Sequence, residues 1–180
     1  CIEYLINRKK NKRLEIITNE LASSILSITK KLSKHDALIK ISDTINSGKA
    51  AEKFENMVAT LGGPKDMLTN YKSHLQKAPY VNHLLSDKIG FIQSVQTRNL
   101  GLILIELGGG RKQINDKIDF SIGYENIIGV GSKVDSSTPL LTVHANSKDD
   151  YYKVKNKIQS CFEINSDKVG ELSTIYKTIR

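Results

Sequence analysis

Cysteine is scarce in this sequence. The two present, Cys1 and Cys161, form no metal-binding or redox spacing and read as free thiols. Long apolar runs are missing too, and nothing approaches the ~20 residues a membrane span needs. With no signal-peptide pattern either, the expected location is cytoplasmic, with no membrane partner. A third absence is the basic stripe with interleaved aromatics that marks nucleic-acid modules. The formal net charge is +8, but its cations are mostly Lys and are spread along the chain. Their one dense cluster is Arg8-Lys9-Lys10-Asn11-Lys12-Arg13, which reads as a solvated loop between apolar segments. No nucleic-acid partner is expected.

What remains is the composition of an ordinary globular protein, long enough at 180 residues to bury a core as one domain or two small ones. The chain begins on Cys1 inside a segment that already reads as helical, with no cap before Ile2. A piece of a longer protein is therefore expected. From Leu14, the positions Leu14, Ile17, Leu21, Ile25, Ile28 and Leu32 recur at three- and four-residue spacing, which is one face of an amphipathic helix. Ser33 and Asp36 form a capping-box-like start for a second helix, with Ala37, Ile41 and Ile45 inward and Gly48 closing it. A third helix runs over about 49–61, with Phe54, Met57, Val58 and Leu61 on one side. Gly62 and Gly63 stop it, and Pro64 suits the first position of a further short helix.

After Pro79 the texture changes to short strands. Residues 89–95 read as a strand, and Thr97 as the cap of the element after it. The run 100–107 is too uniformly apolar for periodicity to separate helix from strand, but the cap and the terminal glycines favour helix. Residues 127–131 and 140–144 are strand candidates, with a turn-rich segment from Asp135 to Pro139 between them. Residues 149–160 read as a helix supported by Tyr152, Val154 and Ile158, and 162–164 as a last strand. The fold class is α+β, a helical segment followed by a β-rich C-terminal subdomain.

Few residues suggest chemistry. His35, His74 and His83 stand apart in polar surroundings and read as surface histidines, while His144 reads as structural. Asp116 and Asp119 could pass for an acid/base pair, but a turn bonding its own backbone explains them as well. Gly108, Gly109, Gly110, Arg111 and Lys112 are the most suggestive group. Three glycines and two cations can cradle a phosphate, or they can cap a helix and lead into a loop. Their spacing matches neither the dinucleotide fingerprint nor the Walker pattern, so the cap is favoured. No metal and no cofactor are expected.

A set of ordered segments resembles the pyrimidine-nucleoside phosphorylase family, most closely its bacterial thymidine phosphorylase branch. The segments are Gly48-Lys49-Ala50-Ala51-Glu52, Met57-Val58-Ala59-Thr60-Leu61-Gly62-Gly63-Pro64, Gly90-Phe91, Thr97-Arg98-Asn99-Leu100-Gly101, Gly108-Gly109-Gly110-Arg111, Asp116-Lys117-Ile118-Asp119 and Pro139-Leu140-Leu141-Thr142-Val143-His144-Ala145. Each is weak alone, but the series in order is specific. The resemblance implies the C-terminal part of such an enzyme, with 1–80 as late helices of its α/β large domain and 81–180 as its C-terminal α+β subdomain. It implies an enzyme, a pentosyltransferase, that converts thymidine and inorganic phosphate to thymine and 2-deoxy-D-ribose 1-phosphate, works as a homodimer and closes a cleft between two domains.

The family's phosphate loop, a Lys with a Ser/Thr-Gly-Gly sequence, and its base-holding Arg, Ser and Lys have no counterpart here. No catalytic or phosphate-binding residue is therefore assigned, and the chain alone is expected to be inactive. The loop 108–112 is the segment expected to face the cleft, latching the closed state or adding positive potential for phosphate. A purely structural loop, with Arg111 paired to a carboxylate, is the alternative. For the whole chain, the competing reading is a stand-alone α+β module binding an anionic partner through its basic surface or this loop.

Overall fold

The computed structural model describes residues 1–179. The chain divides into two compact units, one of Cys1–Leu75 with the tail from Ser173, the other of Gln76–Leu172. Its elements are mixed α and β, with all strands in the second unit, so the α+β class holds.

The first unit is helical: α1 (Ile2–Leu5), α2 (Lys12–Lys30), α3 (Lys34–Asn46), α4 (Lys49–Thr60) and α5 (Met67–His74). Asn11 caps α2 by accepting from the Leu14 N–H at 3.0 Å, and Lys31 ends it in the left-handed region at φ 53°. Ser33 caps α3, its hydroxyl accepting from the Asp36 N–H at 3.1 Å and donating to the Asp36 carboxylate at 2.7 Å. Gly48, at φ 76°, turns the chain from α3 into α4. Ala37 and Ile41 are buried as expected from the pattern.

Two apolar faces read from the sequence are only partly covered, with Leu14, Ile17, Phe54 and Val58 half-buried. Leu21, Ile25 and Ile28 of α2 are 60%, 60% and 81% exposed. The one fully buried residue of the helix is Ser23. In α4, Met57 and Leu61 are likewise exposed, and Ala51 is the buried position. Periodicity locates the helix, but it does not say that the stripe finds a neighbour. Pro64 is not helical either. The chain continues through a turn, and α5 starts at Met67, where the Glu55 carboxylate accepts from the Leu68 N–H at 3.1 Å. An acceptor reaching back from α4 fixes that start, and this local sequence cannot show it.

The second unit contains β1 (Tyr80–Leu85), β2 (Gly90–Val95), α6 (Thr97–Glu106), β3 (Gly123–Glu125), β4 (Lys133–Val134), β5 (Pro139–Ala145), α7 (Lys148–Gln159) and β6 (Phe162–Asn165). These form two three-stranded antiparallel sheets, ordered β1-β5-β3 and β4-β2-β6. In β5, Leu140, Leu141, Val143 and Ala145 are fully buried, so successive residues are covered on both faces. Ile92, Leu100, Ile103, Val154 and Ile158 pack into the same core.

Three further readings change here. Residues 127–131 form no strand, because Asn126 takes a positive φ of 54° just after β3. The Ile128 N–H then donates to Leu140 of the first sheet and the Gly131 N–H to Ile92 of the second, both at 2.8 Å. The segment is a crossing between sheets. Thr97 is the first helical residue of α6 rather than its cap. Gln96 precedes it with no side-chain cap, its own N–H donating to the Cys161 carbonyl at 2.8 Å. In α7 the buried tyrosine is Tyr151, while Tyr152 is 53% exposed.

Gly90 is the tightest backbone position. A Cβ there would lie 2.7 Å from the Asn165 carbonyl carbon and closer still to its oxygen, and φ is 153°. Gly90→Ala is expected to lower the stability of this unit by about 2–4 kcal/mol. Gly48→Ala, strained at φ 76° but with open space around it, should cost about 1–2 kcal/mol. Urea denaturation of the two variants checks the ranking, and a neutral Gly90→Ala would contradict the β2–β6 approach.

Candidate functional site

The loop 108–112 follows α6, whose Leu100, Ile103 and Leu107 anchor it in the core. The helix ends on a paired backbone motif. The Gly108 N–H donates to the Ile105 carbonyl at 3.1 Å and the Gly109 N–H to the Leu104 carbonyl at 3.0 Å. Gly108 takes φ 98°, the left-handed residue this termination needs. A Cβ on Gly109 would fall 2.8 Å from Leu104 Cδ1, so close approach of backbone to side chain explains the second glycine. The helix-cap reading of the glycines is what the structure shows.

The rest of the loop is held from behind. The Asp119 N–H donates to the Gly108 carbonyl at 3.0 Å. Asp116 Oδ2 accepts from the N–H groups of Lys112 at 3.0 Å and Gln113 at 2.9 Å. Asp119 Oδ1 accepts from the Ser121 N–H at 2.9 Å and its hydroxyl at 2.6 Å. Both aspartates are therefore turn formers. Hydrogen bonds to the ionised form hold each carboxyl below its ordinary range, chiefly from the Gln113 and Lys112 N–H groups for Asp116 and from Ser121 for Asp119.

The N–H groups of Gly108, Gly109 and Lys112, and of Gln113 beside the loop, are thus committed to protein acceptors. Among the described residues, those of Gly110 and Arg111 meet none. The loop offers an anion two N–H groups and two exposed cations, Arg111 and Lys112. Arg111 enters no ion pair with a described carboxylate, so the expected alternative pairing is not seen.

Beside the loop lies a shallow hollow of about 280 Å³ lined by Glu106, Leu107, Asp150, Lys153, Val154 and Lys157. Its charges are already matched, Lys157 to Glu106 at 2.6 Å and Lys153 to Asp150 at 2.9 Å. The Glu106–Lys157 pair joins α6 to α7 across 51 positions, and no local signal in the sequence marks it. In the first unit, an open groove of about 430 Å³ is lined by Asp36, Ile39, Lys40, Asp43, Thr44, Ser47 and Lys49.

The histidines are dispersed. His35 is exposed, and His74 Nε2 lies 2.7 Å from Asp66 Oδ1. His83 Nδ1 meets Thr142 Oγ1 at 2.9 Å, and His144 on β5 faces Glu125 at 3.3 Å. No group of three metal-ligating side chains occurs among the described residues. Nor do their contacts bring a nucleophile, base and orienting acid together. The Tyr124 hydroxyl is buried without a partner among the described residues, and burial pushes its pKa up. That leaves it a neutral phenol.

The Asp116 clasp has a pH signature. Its folded pKa is depressed, so its stabilisation of the loop is complete above the unfolded carboxylate value of about 4 and is lost as pH falls below it. Amide exchange at Lys112 and Gln113 is expected to stay slow between about pH 5 and 7 once corrected for intrinsic rate, and to lose protection towards about pH 2. Asp116→Ala should remove that protection at all pH values while leaving Gly108 and Gly109 protected. Unchanged exchange in the variant would show that the clasp does not hold the loop.

This geometry describes a capped loop with two exposed cations on a small α+β unit. Comparison with protein families adds one finding. The family model described as the pyrimidine nucleoside phosphorylase C-terminal domain matches residues 91–165, which run from β2 to the end of β6 and include the loop. Residues 91–165 are thus similar to the pyrimidine nucleoside phosphorylase C-terminal domain.

Proposed function

We propose that this chain is the C-terminal part of a thymidine phosphorylase, acting in reversible phosphorolysis of thymidine. The observation that carries the reading is the family match over 91–165. In the reaction, a phosphate oxygen bonds to the anomeric carbon as the bond from that carbon to the pyrimidine nitrogen breaks. The departing base takes a proton, giving thymine and 2-deoxy-D-ribose 1-phosphate. On this reading the reacting groups lie upstream of these residues. The same reading makes 1–80 late helices of the large domain, and makes the working enzyme a cytoplasmic homodimer whose substrates are thymidine and inorganic phosphate.

This part of the enzyme would then support the chemistry. The cap motif fixes where Gly110 and Arg111 point, and Arg111 and Lys112 add positive potential on the side where a dianionic phosphate is drawn in. A rigidly terminated helix also makes the loop a firm stop for domain closure.

Two measurements test this. The purified 180-residue chain is expected to release no thymine from thymidine and phosphate, while the protein expressed from the complete reading frame does so and prefers thymidine to uridine. Turnover by the isolated chain would overturn the division of labour, and a complete protein without phosphorolysis would overturn the function. In the active protein, Arg111→Ala should raise the KM for phosphate about three- to tenfold. Unchanged kinetics would leave the loop a structural cap only.

A further inference from the structure

Asp66, Asn70 and His74 fall at i, i+4 and i+8 along α5 and the residue before it. Asp66 holds the N-cap position, yet its side chain caps no backbone N–H. The carboxylate serves two side chains instead. Oδ2 accepts from Asn70 Nδ2 at 2.6 Å, and Oδ1 lies 2.7 Å from His74 Nε2. Eight residues of straight α-helix rise about 12 Å, more than an Asp and a His side chain bridge at hydrogen-bond distance. The contact closes because α5 is broken at Asn70, whose φ of −118° and ψ of 19° are non-helical. Asn70 is also the residue whose side-chain amide the same carboxylate holds. Break and clasp therefore stand or fall together.

We propose that Asp66, Asn70 and His74 form a clasp that holds α5 bent and responds to pH, tighter when the imidazole is charged and looser when it is neutral. A carboxylate only accepts, so Nε2 carries a proton in both states of the ring, and the proton gained on acidification goes to Nδ1. The bond to Asp66 then becomes charge-assisted without a change of partner. Imidazole makes that change between about pH 8 and 5. The Asp66 carboxyl is held below its ordinary range by its bonds from Asn70 first and His74 second, so it stays ionised through that window. Its contribution is complete above the unfolded value of about 4 and is lost as pH falls below it. The clasp is therefore tightest between about pH 4 and 6. It lies wholly in the first unit and is independent of the enzyme reading.

Of the groups that meet α5 among the described residues, His74 is the one that changes charge in this range. From α4, the Glu55 carboxylate accepts from the Leu68 N–H at 3.1 Å. From α1 and the loop after it, Glu3 Oε1 accepts from the Tyr71 hydroxyl at 3.0 Å, with the Arg8 guanidinium beside that hydroxyl. Lys65 and Lys72 belong to the same segment as α5, and Lys72 Nζ lies 5.9 Å from the centre of the Tyr71 ring. Carboxylates, lysine and arginine keep their charge from about pH 5 to 8. Burial first, and then the bond to Glu3, pushes the Tyr71 hydroxyl up and away from that range. The His74 side chain, 32% exposed, exchanges protons with solvent freely. The turn it clasps ends with the Leu75 N–H donating to the Tyr71 carbonyl at 2.8 Å, where the first unit gives way to Gln76.

Amide hydrogen exchange, corrected for intrinsic rate, tests the clasp in the protein expressed from the complete reading frame. Protection across residues 67–75 is expected to fall about two- to fivefold between about pH 5.5 and 8, the scale of an exposed ion pair. Protection across α4 is expected to stay level. His74→Gln keeps a side-chain donor without the titration, and Asp66→Asn keeps an acceptor without the charge. Each should leave α5 formed and remove its pH dependence. Level protection of α5 in the unaltered protein overturns the proposal, and so does a pH dependence that survives in His74→Gln or is shared by α4.

Discussion

Burial of β5 on both faces is the constraint around which the second unit forms. Leu140, Leu141 and Val143 have no exposed surface, and each removes apolar area worth about 1.5–3 kcal/mol from water. A strand covered on both sides must be central, so β1 and β3 take its two edges. α7 then lies against β5, and its Tyr151 and Gln159 bond the outer edge of β1. The second sheet is tied to this frame through the crossing at Ile128 and Gly131, whose N–H groups bond one sheet and then the other. That the loop 108–112 is held in place follows from the same frame, since α6 is anchored in the core β5 creates.

The glycine loop shows how one composition can serve two roles. Glycines near a pair of cations suit a phosphate only if the N–H groups are free. Here helix termination takes the first two and Asp116 takes two more. What survives is a short outward-facing stretch at Gly110 and Arg111 whose position is set by bonds behind it. The aspartates that could have been read as an acid/base pair are what set it. Their depressed pKa values come from the turn hydrogen bonds and indicate no catalytic tuning. A perturbed carboxylate points to a site only when its perturber does more than shape the backbone.

How much was legible in the sequence depended on the range of the interaction. Caps made by neighbours, at Ser33 and Gly48, could be read directly, and so could the apolar content of β5 and the glycine termination of α6. The start of α5 could not, because it is fixed by Glu55 from another helix. Residues 127–131 look like a strand by composition, and only the positive φ at Asn126 and the two separated sheets make them a crossing. Tyr151 and Tyr152 are adjacent and chemically identical, so the phase of α7 against β1 decides which is buried. The candidate loop was legible as residues, while its clasp by Asp119 and the nearby Glu106–Lys157 pair were not.

The α2 stripe marks the limit of pattern reading. The spacing of apolar residues records what a helix offers, and packing records what accepts it. Where the two agree, as at Ala37 and Ile41, the local structure is complete within these residues. Where they disagree, at Leu21, Ile25 and Ile28, either the residues tolerate water or the accepting surface lies elsewhere. Single exposed apolar residues are ordinary. Among the described residues the second unit closes around β5, whereas the first leaves these three positions of α2 exposed, so the same pattern reading succeeds at one helix and fails at the next for want of a neighbour.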